Sequence, residues 1–300
     1  MEAQPPKSDG LTAWIRRVRD AEMPIFGSTT EQVIRLTADE GTSVARLSEI
    51  ALHDPGLTTK LLRIANSVIF NTSGQQVATV TRTILLLGFN TVREVALTVA
   101  LVEGFLKGDP RRHVLHEVAR AFHAATQARW MAGRRHDGSP EEVFVAALLF
   151  RFGEIAFWCF AGETGEALEE ALRANPRRPG DAEQAVLGFR LRQLTAGVMR
   201  EWHVSQLLQN TLSGGYARNS RERGVALAQR LAEATEAGWG SDELNAQIAA
   251  VADFLQLPQR QVETAVAANA RLAAHVAEDF GASLAVPLIP VAPPDPEPRN

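Results

Sequence analysis

Histidine is the residue type here best suited to metal or acid–base chemistry, and its spacing supplies little to build on. His113, His116 and His123 are 3 and 7 residues apart, so His116 and His123 can share one helix face. Three imidazoles on one helix could hold a metal. With no carboxylates assigned beside them, they read as surface or capping residues. His53, His136, His203 and His275 are isolated. The chain carries no Walker-type phosphate loop, no Gly-x-Gly-x-x-Gly turn and no Gly-x-Ser-x-Gly elbow. Arg134-Arg135-His136 and Arg177-Arg178 are basic pairs in polar stretches and read as solvated loops rather than phosphate contacts. The single cysteine, Cys159, lies in an apolar aromatic run, where burial raises a thiol pKa and suppresses reactivity. It reads as an inert core thiol, and one cysteine cannot form a disulfide within the chain. A reducing cytoplasm is the expected setting.

Composition bounds what such residues could do. The chain has 300 residues, 45% of them hydrophobic and 22% charged, which supports a sizeable folded core. The net charge of −4 gives no strong field for nucleic acid, so direct nucleic-acid binding is not expected. Met1 to Gly10 is polar and has no apolar core of a signal peptide. The longest uncharged apolar run is short of the ~20 residues that a membrane span needs. No membrane association is expected.

The elements that would position any site read as helices throughout, because nothing alternates at period two for long enough to make a strand. Leu11, Trp14, Ile15 and Val18 mark a short amphipathic helix over Leu11–Arg19, inside a leader spanning 1–22. Val33, Ile34 and Leu36 mark a helix over Thr29–Leu36, and Ser43 can cap one through Val44, Leu47 and Ile50. Asp54 and Pro55 suit the start of a helix whose apolar face is Leu57, Leu61, Ile64 and Ala65. Asn66-Ser67 closes it. Val80, Ile84 and Leu87 form the next, stopped by Gly88. Thr91-Val92-Arg93-Glu94 reads as a capping box that opens a long apolar helix through Phe105.

A second part, 109–216, opens with a helix to about Met131. Ser139-Pro140 then starts a helix from Val143 to about Phe160 that is apolar nearly all round and so should be buried. A helix capped at Asp181 carries Val186, Leu191, Leu194 and Val198, and a short one follows through Leu212. Residues 217–283 read as three Ala-rich helices packed on the second part, with Ser241 and Pro258 opening the last two. Residues 284–300 hold six prolines and read as an extended, disordered tail.

The ordered set Asp54-Pro55, Leu61-Leu62 and Asn66-Ser67, followed by Leu87-Gly88, resembles the HDOD family, degenerate relatives of the HD-type metal phosphohydrolases. Pro24 stands at the family's Leu-Pro entry. The resemblance is specific over Met23 to Leu106 and continues to about Tyr216. It implies an all-α, HD-domain-like bundle over 23–216, with an N-terminal helical part (23–108) and an HD-like part (109–216). The motif residues read as builders of the fold.

The same resemblance locates where a catalytic metal would sit in HD-type relatives. Their His-Asp ligand pair precedes a glycine on the buried helix. Here the matching stretch places Phe150 and Arg151 before Gly153. Phenylalanine cannot ligate a metal, and a guanidinium is always cationic. Leu191 stands near the next ligand position, and Leu212-Ser213-Gly214-Gly215 replaces a later His pair. Only His116 matches a first ligand. The expectation is a protein without a catalytic metal or cofactor that signals through protein contacts, as the family resemblance implies. Two alternatives stay open at this stage. A nucleotide or other phosphorylated ligand could sit by Arg151, an idea that loses its motive if Glu154 or another internal acid pairs with that cation. The other is a metal phosphohydrolase with unorthodox ligands.

Overall fold

The computed structural model describes residues 7–20, 28–39, 41–52, 55–67, 69–71, 76–105, 112–174, 178–201, 206–214 and 219–293. Among these there is no strand. Pro24 and Asp54 lie outside them, as does the side chain of Pro55.

The N-terminal part holds α1 (Lys7–Asp20), α2 (Ser28–Thr37), α3 (Val44–Leu52), α4 (Pro55–Ala65) and α5 (Val80–Phe105). The leading helix begins four residues earlier than its apolar stripe predicts. Ser43 caps α3 by accepting the Arg46 N–H at 3.2 Å. At the end of α4, Asn66 acts as a staple. Its amide donates to the carbonyls of Leu62 (2.8 Å) and Val77 (2.7 Å), and its Oδ1 accepts the Val77 N–H at 2.8 Å. Ser67 Oγ donates to the Ile64 carbonyl at 2.7 Å. This pair therefore closes the loop that leads to α5, with Leu61 fully buried beneath it.

The α5 helix turns at Gly88, whose φ of 76° and ψ of 163° belong to a region essentially reserved for glycine. Helical structure resumes at once rather than at a Thr91 cap, so the stop and restart expected over several residues contract to one. Glu94 is then a residue inside the helix, not the third position of a capping box.

The HD-like part holds α6 (Arg112–Arg134), α7 (Pro140–Leu149), α8 (Phe152–Phe160), α9 (Glu163–Ala174), α10 (Pro179–Leu187), α11 (Leu191–Glu201) and α12 (Gln206–Leu212). Two predicted helices are each divided. The run from Val143 to Phe160 breaks at Arg151, which takes φ −99° and ψ 19°. A carbonyl near the break, that of Ala147, accepts the Gln229 side-chain amide at 2.7 Å, a side chain inserted at the helix ladder. The run from Asp181 to Met199 breaks at Gly188, a left-handed cap at φ 80°, and its first helix opens at Pro179 rather than at an Asp181 cap.

The C-terminal helices are α13 (Ser220–Thr235), α14 (Asp242–Leu255) and α15 (Gln259–Asp279). Of these, α13 and α15 pack on α6 together with a closing 3₁₀ turn, Ser283–Leu288, and α14 rests on α13 and α15. The expected disordered tail is corrected here for 284–293. Ala285 and Ile289 are buried, because the turn brings their apolar side chains back onto the core. Residues 294–300 lie outside the described set. Phe280 meets Phe122 and Phe144 at ring-centroid distances of 5.5 and 5.9 Å. The stretches Val80–Val102 and Pro140–Phe160 are long and apolar enough to cross a membrane by length alone, but 56% and 72% of their most apolar windows are buried inside the protein.

Candidate functional site

The α6 helix carries the first predicted site residue, and the neighbouring position proves the important one. His116 is half-buried and accepts from Arg112 Nε at 3.3 Å. Its neighbour Glu117 points into the core. The break at Arg151 turns that guanidinium toward α6, where Nε donates to Glu117 Oε2. Glu117 Oε1 also lies 3.1 Å from Arg120 Nη1. Arg120 in turn makes a two-pronged contact with Glu236 just after α13, 2.6 Å at each oxygen. On its other side, Arg151 Nη2 lies 3.9 Å from Glu154 Oε1. The result is a largely buried chain of alternating charge: Glu236, Arg120, Glu117, Arg151, Glu154.

Its protonation follows from burial and neighbours. Burial pushes the Glu117 carboxyl up, but Arg151 and Arg120 together outweigh it and hold the group below the usual carboxylate range. Burial pushes Glu154 up to about 7, the Glu117 charge adding to the rise and Arg151 opposing it. Glu154 Oε2 has no hydrogen-bond partner, as a buried carboxyl that keeps its proton can tolerate. Arg151 is held cationic, the two glutamates outweighing its desolvation.

Gly153 and Leu191 meet beside this chain. The Gly153 N–H donates to Thr195 Oγ1 at 2.9 Å. A Cβ at Gly153 would sit 2.4 Å from the Leu191 carbonyl oxygen and 2.8 Å from the Thr195 nitrogen, so α8 and α11 touch backbone to backbone. Phe150 caps α7 and packs on the core. The structure thus gathers Arg151, Gly153 and Leu191, with His116 one residue away on α6. These residues do not fit a divalent metal. A guanidinium takes the carboxylate that a ligand set would need, and among the described residues no group of three His, Cys, Asp or Glu is placed to hold an ion.

His123 departs from its expected surface role. It is fully buried and 3.0 Å from the Gln127 amide, and burial pushes its pKa down to about 4, so it is a neutral core residue. His113 stacks on Trp158, ring centroids 4.1 Å apart.

A second feature escaped the sequence reading. Beneath the Gly88 turn lies a polar cleft of about 1040 Å³ between α5, the start of α7 and the α11–α12 region. Glu94, Glu142, Arg93, Arg200 and Leu86 line it. Glu94 is only 4% exposed, and burial, with the nearby Glu142 charge, pushes it up to about 7. The charged pair Arg93-Glu94 set between the apolar Val92 and Val95 was the available signal, hidden by its resemblance to a helix cap.

Comparison with known proteins agrees with this architecture. The family model described as HDOD domain matches residues 23–216. No curated protein matches the chain. A Shewanella amazonensis protein provisionally named a phosphohydrolase superposes with a TM-score of 0.63 at 18% identity, covering 92% of this chain and 98% of its own. An HDOD domain protein of unknown function from Geobacter sulfurreducens gives 0.59 at 17%, covering 90% and 97%. A Marinobacter aquaeolei protein provisionally named for signal transduction gives 0.59 at 19%, covering 94% and 65%. At these identities the likeness is one of fold.

Proposed function

Because the chain belongs to the HDOD family, we propose that it is a non-catalytic signalling module that acts through contacts with partner proteins. The observation that carries this reading is the ion pair of Arg151 with Glu117. By the sequence resemblance, Arg151 stands where the family's catalytic relatives place a metal ligand, and the pair fixes it there as an internal cation. A metal lowers the pKa of a bound water and offsets phosphate charge. A guanidinium already committed to the Glu117 carboxylate does neither. The same pairing removes the motive for a phosphorylated ligand at this position, since Arg151 has its counter-charges. The signal-transduction name of the Marinobacter neighbour favours the regulatory reading, and bacterial neighbours together with a lone cysteine favour a bacterial cytoplasm.

Elemental analysis of the purified chain with manganese, iron and nickel supplied, run beside hydrolysis of bis-p-nitrophenyl phosphate, tests it. No stoichiometric metal and no turnover are expected. About one metal per chain with metal-dependent hydrolysis would overturn the proposal.

A further inference from the structure

The cleft beneath Gly88 holds two groups with complementary deficits. Glu94 is buried, lines the cleft, and has no hydrogen bond or ion pair from its carboxyl among the described residues. Its acidic neighbours differ. Glu142 is bonded by Arg221 at 2.8 Å, and Glu141 lies 3.6 Å from Arg129. Each of these is paired with a cation, whereas among the described residues the Glu94 carboxyl has only the charge of nearby Arg93, which opposes the rise in its pKa without bonding it. Arg93 lines the same cleft, and its buried Nε–H has no acceptor. Leu86 forms an apolar lip, with Leu85 beside it on α5, both exposed.

We infer that this cleft receives a peptide segment of a partner protein, which presents a lysine or arginine to Glu94 and a main-chain carbonyl to Arg93. The inference rests on the reading of the chain as a protein-contact module and names the contact. Two alternatives fit worse. A divalent cation lacks ligands, because no group of three His, Cys, Asp or Glu converges among the described residues. A phosphate would meet Arg93 and Arg200 but also the carboxylates of Glu94, Glu141 and Glu142. A peptide supplies a cation, a carbonyl acceptor and apolar side chains together. Burial has raised the Glu94 pKa, and an arriving cation would favour its ionised form, so the pair forms where water is already scarce.

The test uses the full chain and the probe Ac-Leu-Arg-Leu-NH₂, followed through the backbone amide signals of Gly88, Thr91 and Glu94. Saturable shifts are expected. Replacing the arginine by citrulline, or Glu94→Gln in the protein, should weaken binding roughly tenfold or more. The citrulline comparison runs on unaltered protein and stands whatever the variant does. Equal binding of the citrulline peptide would overturn the inference. So would the same shifts with inorganic phosphate, or with putrescine when the peptide gives none. Metal loading with turnover would sink the non-catalytic reading alone; a silent cleft in a metal-free, inactive protein would sink this one alone.

Discussion

Arg151 is a charge that the fold cannot leave alone. Its guanidinium sits among Glu117, Glu154 and the more distant Glu183 and Glu233. Arg151→Met keeps the volume and removes the cation, leaving Glu117 and Glu154 buried with less compensation. A loss of about 3–5 kcal/mol is expected in urea unfolding. Adding Glu117→Gln should recover part of it, and an additive double variant would show that the two do not act as a unit. Glu94 gives a second, opposite expectation. Its pKa is raised from 4.5 to about 7, so the folded state holds a proton that the unfolded state has lost across that window. Its contribution is therefore fully present below about 4.5 and is lost as pH rises through 7. His123, depressed to about 4, works the other way as pH falls from 6.5, so the wild-type curve mixes both. The difference from Glu94→Gln isolates one group. That variant should gain up to about 3 kcal/mol over wild type by pH 8 and little at pH 4, and a flat difference would refute the assignment. Arg151 was legible in the sequence because a motif marked its place. Glu117 was not, since nothing local announces a partner 34 positions away.

At the scale of elements, the sequence located helices well and their breaks poorly. Apolar stripes announced α2, α3 and α13–α15, and Ser241 caps α14 as read, accepting the Leu244 N–H at 3.2 Å. The break at Arg151 was illegible because Phe150 and Phe152 flank it within longer apolar runs, and a period of 3.6 continues across a kink. Its cause is tertiary: the contacts of Arg151 and Gln229 with other helices. Gly153 and Gly88 show two different needs for glycine. At Gly153 the added Cβ would strike backbone atoms that cannot swing away. Gly153→Ala should force α8 from α11 and cost about 3 kcal/mol or more. At Gly88 a Cβ would meet nothing within 4 Å, so the cost is conformational only, about 1–3 kcal/mol for Gly88→Ala. Near-ultraviolet circular dichroism of the folded variants distinguishes them further. Gly88→Ala should leave the near-ultraviolet signal of Trp158 and its neighbours unchanged, whereas Gly153→Ala, beside α8, should alter it. Equal spectra would mean that α8 and α11 yield more easily than their backbone contact implies.

The whole molecule extends past the stretch that marks its family. The family model ends at residue 216, yet the core does not. Phe280 fills the space between Phe122 and Phe144. Gln127, fully buried on α6, donates to the Val266 carbonyl and accepts from Asn269, both at 3.0 Å. Gln229 donates to the Ala147 carbonyl near the helix break at Arg151, and Glu236 completes the charge chain through Arg120. A chain cut after 216 would expose the apolar side of α6 and strand several buried polar groups at once, each costing about 1–3 kcal/mol. Four such groups come to about 4–12 kcal/mol, comparable with the 5–15 kcal/mol that holds a typical domain folded, and the lost Phe280 packing adds to it. Residues 1–216 alone should therefore lack a cooperative thermal transition and bind a hydrophobic dye. The all-α class was readable from periodicity, but this dependence was not, because Ala-rich helices look the same whether they lie on a surface or complete a core. If 1–216 melts cooperatively within a few degrees of the full chain, the C-terminal helices are an accessory layer, and the charge chain holds without Glu236.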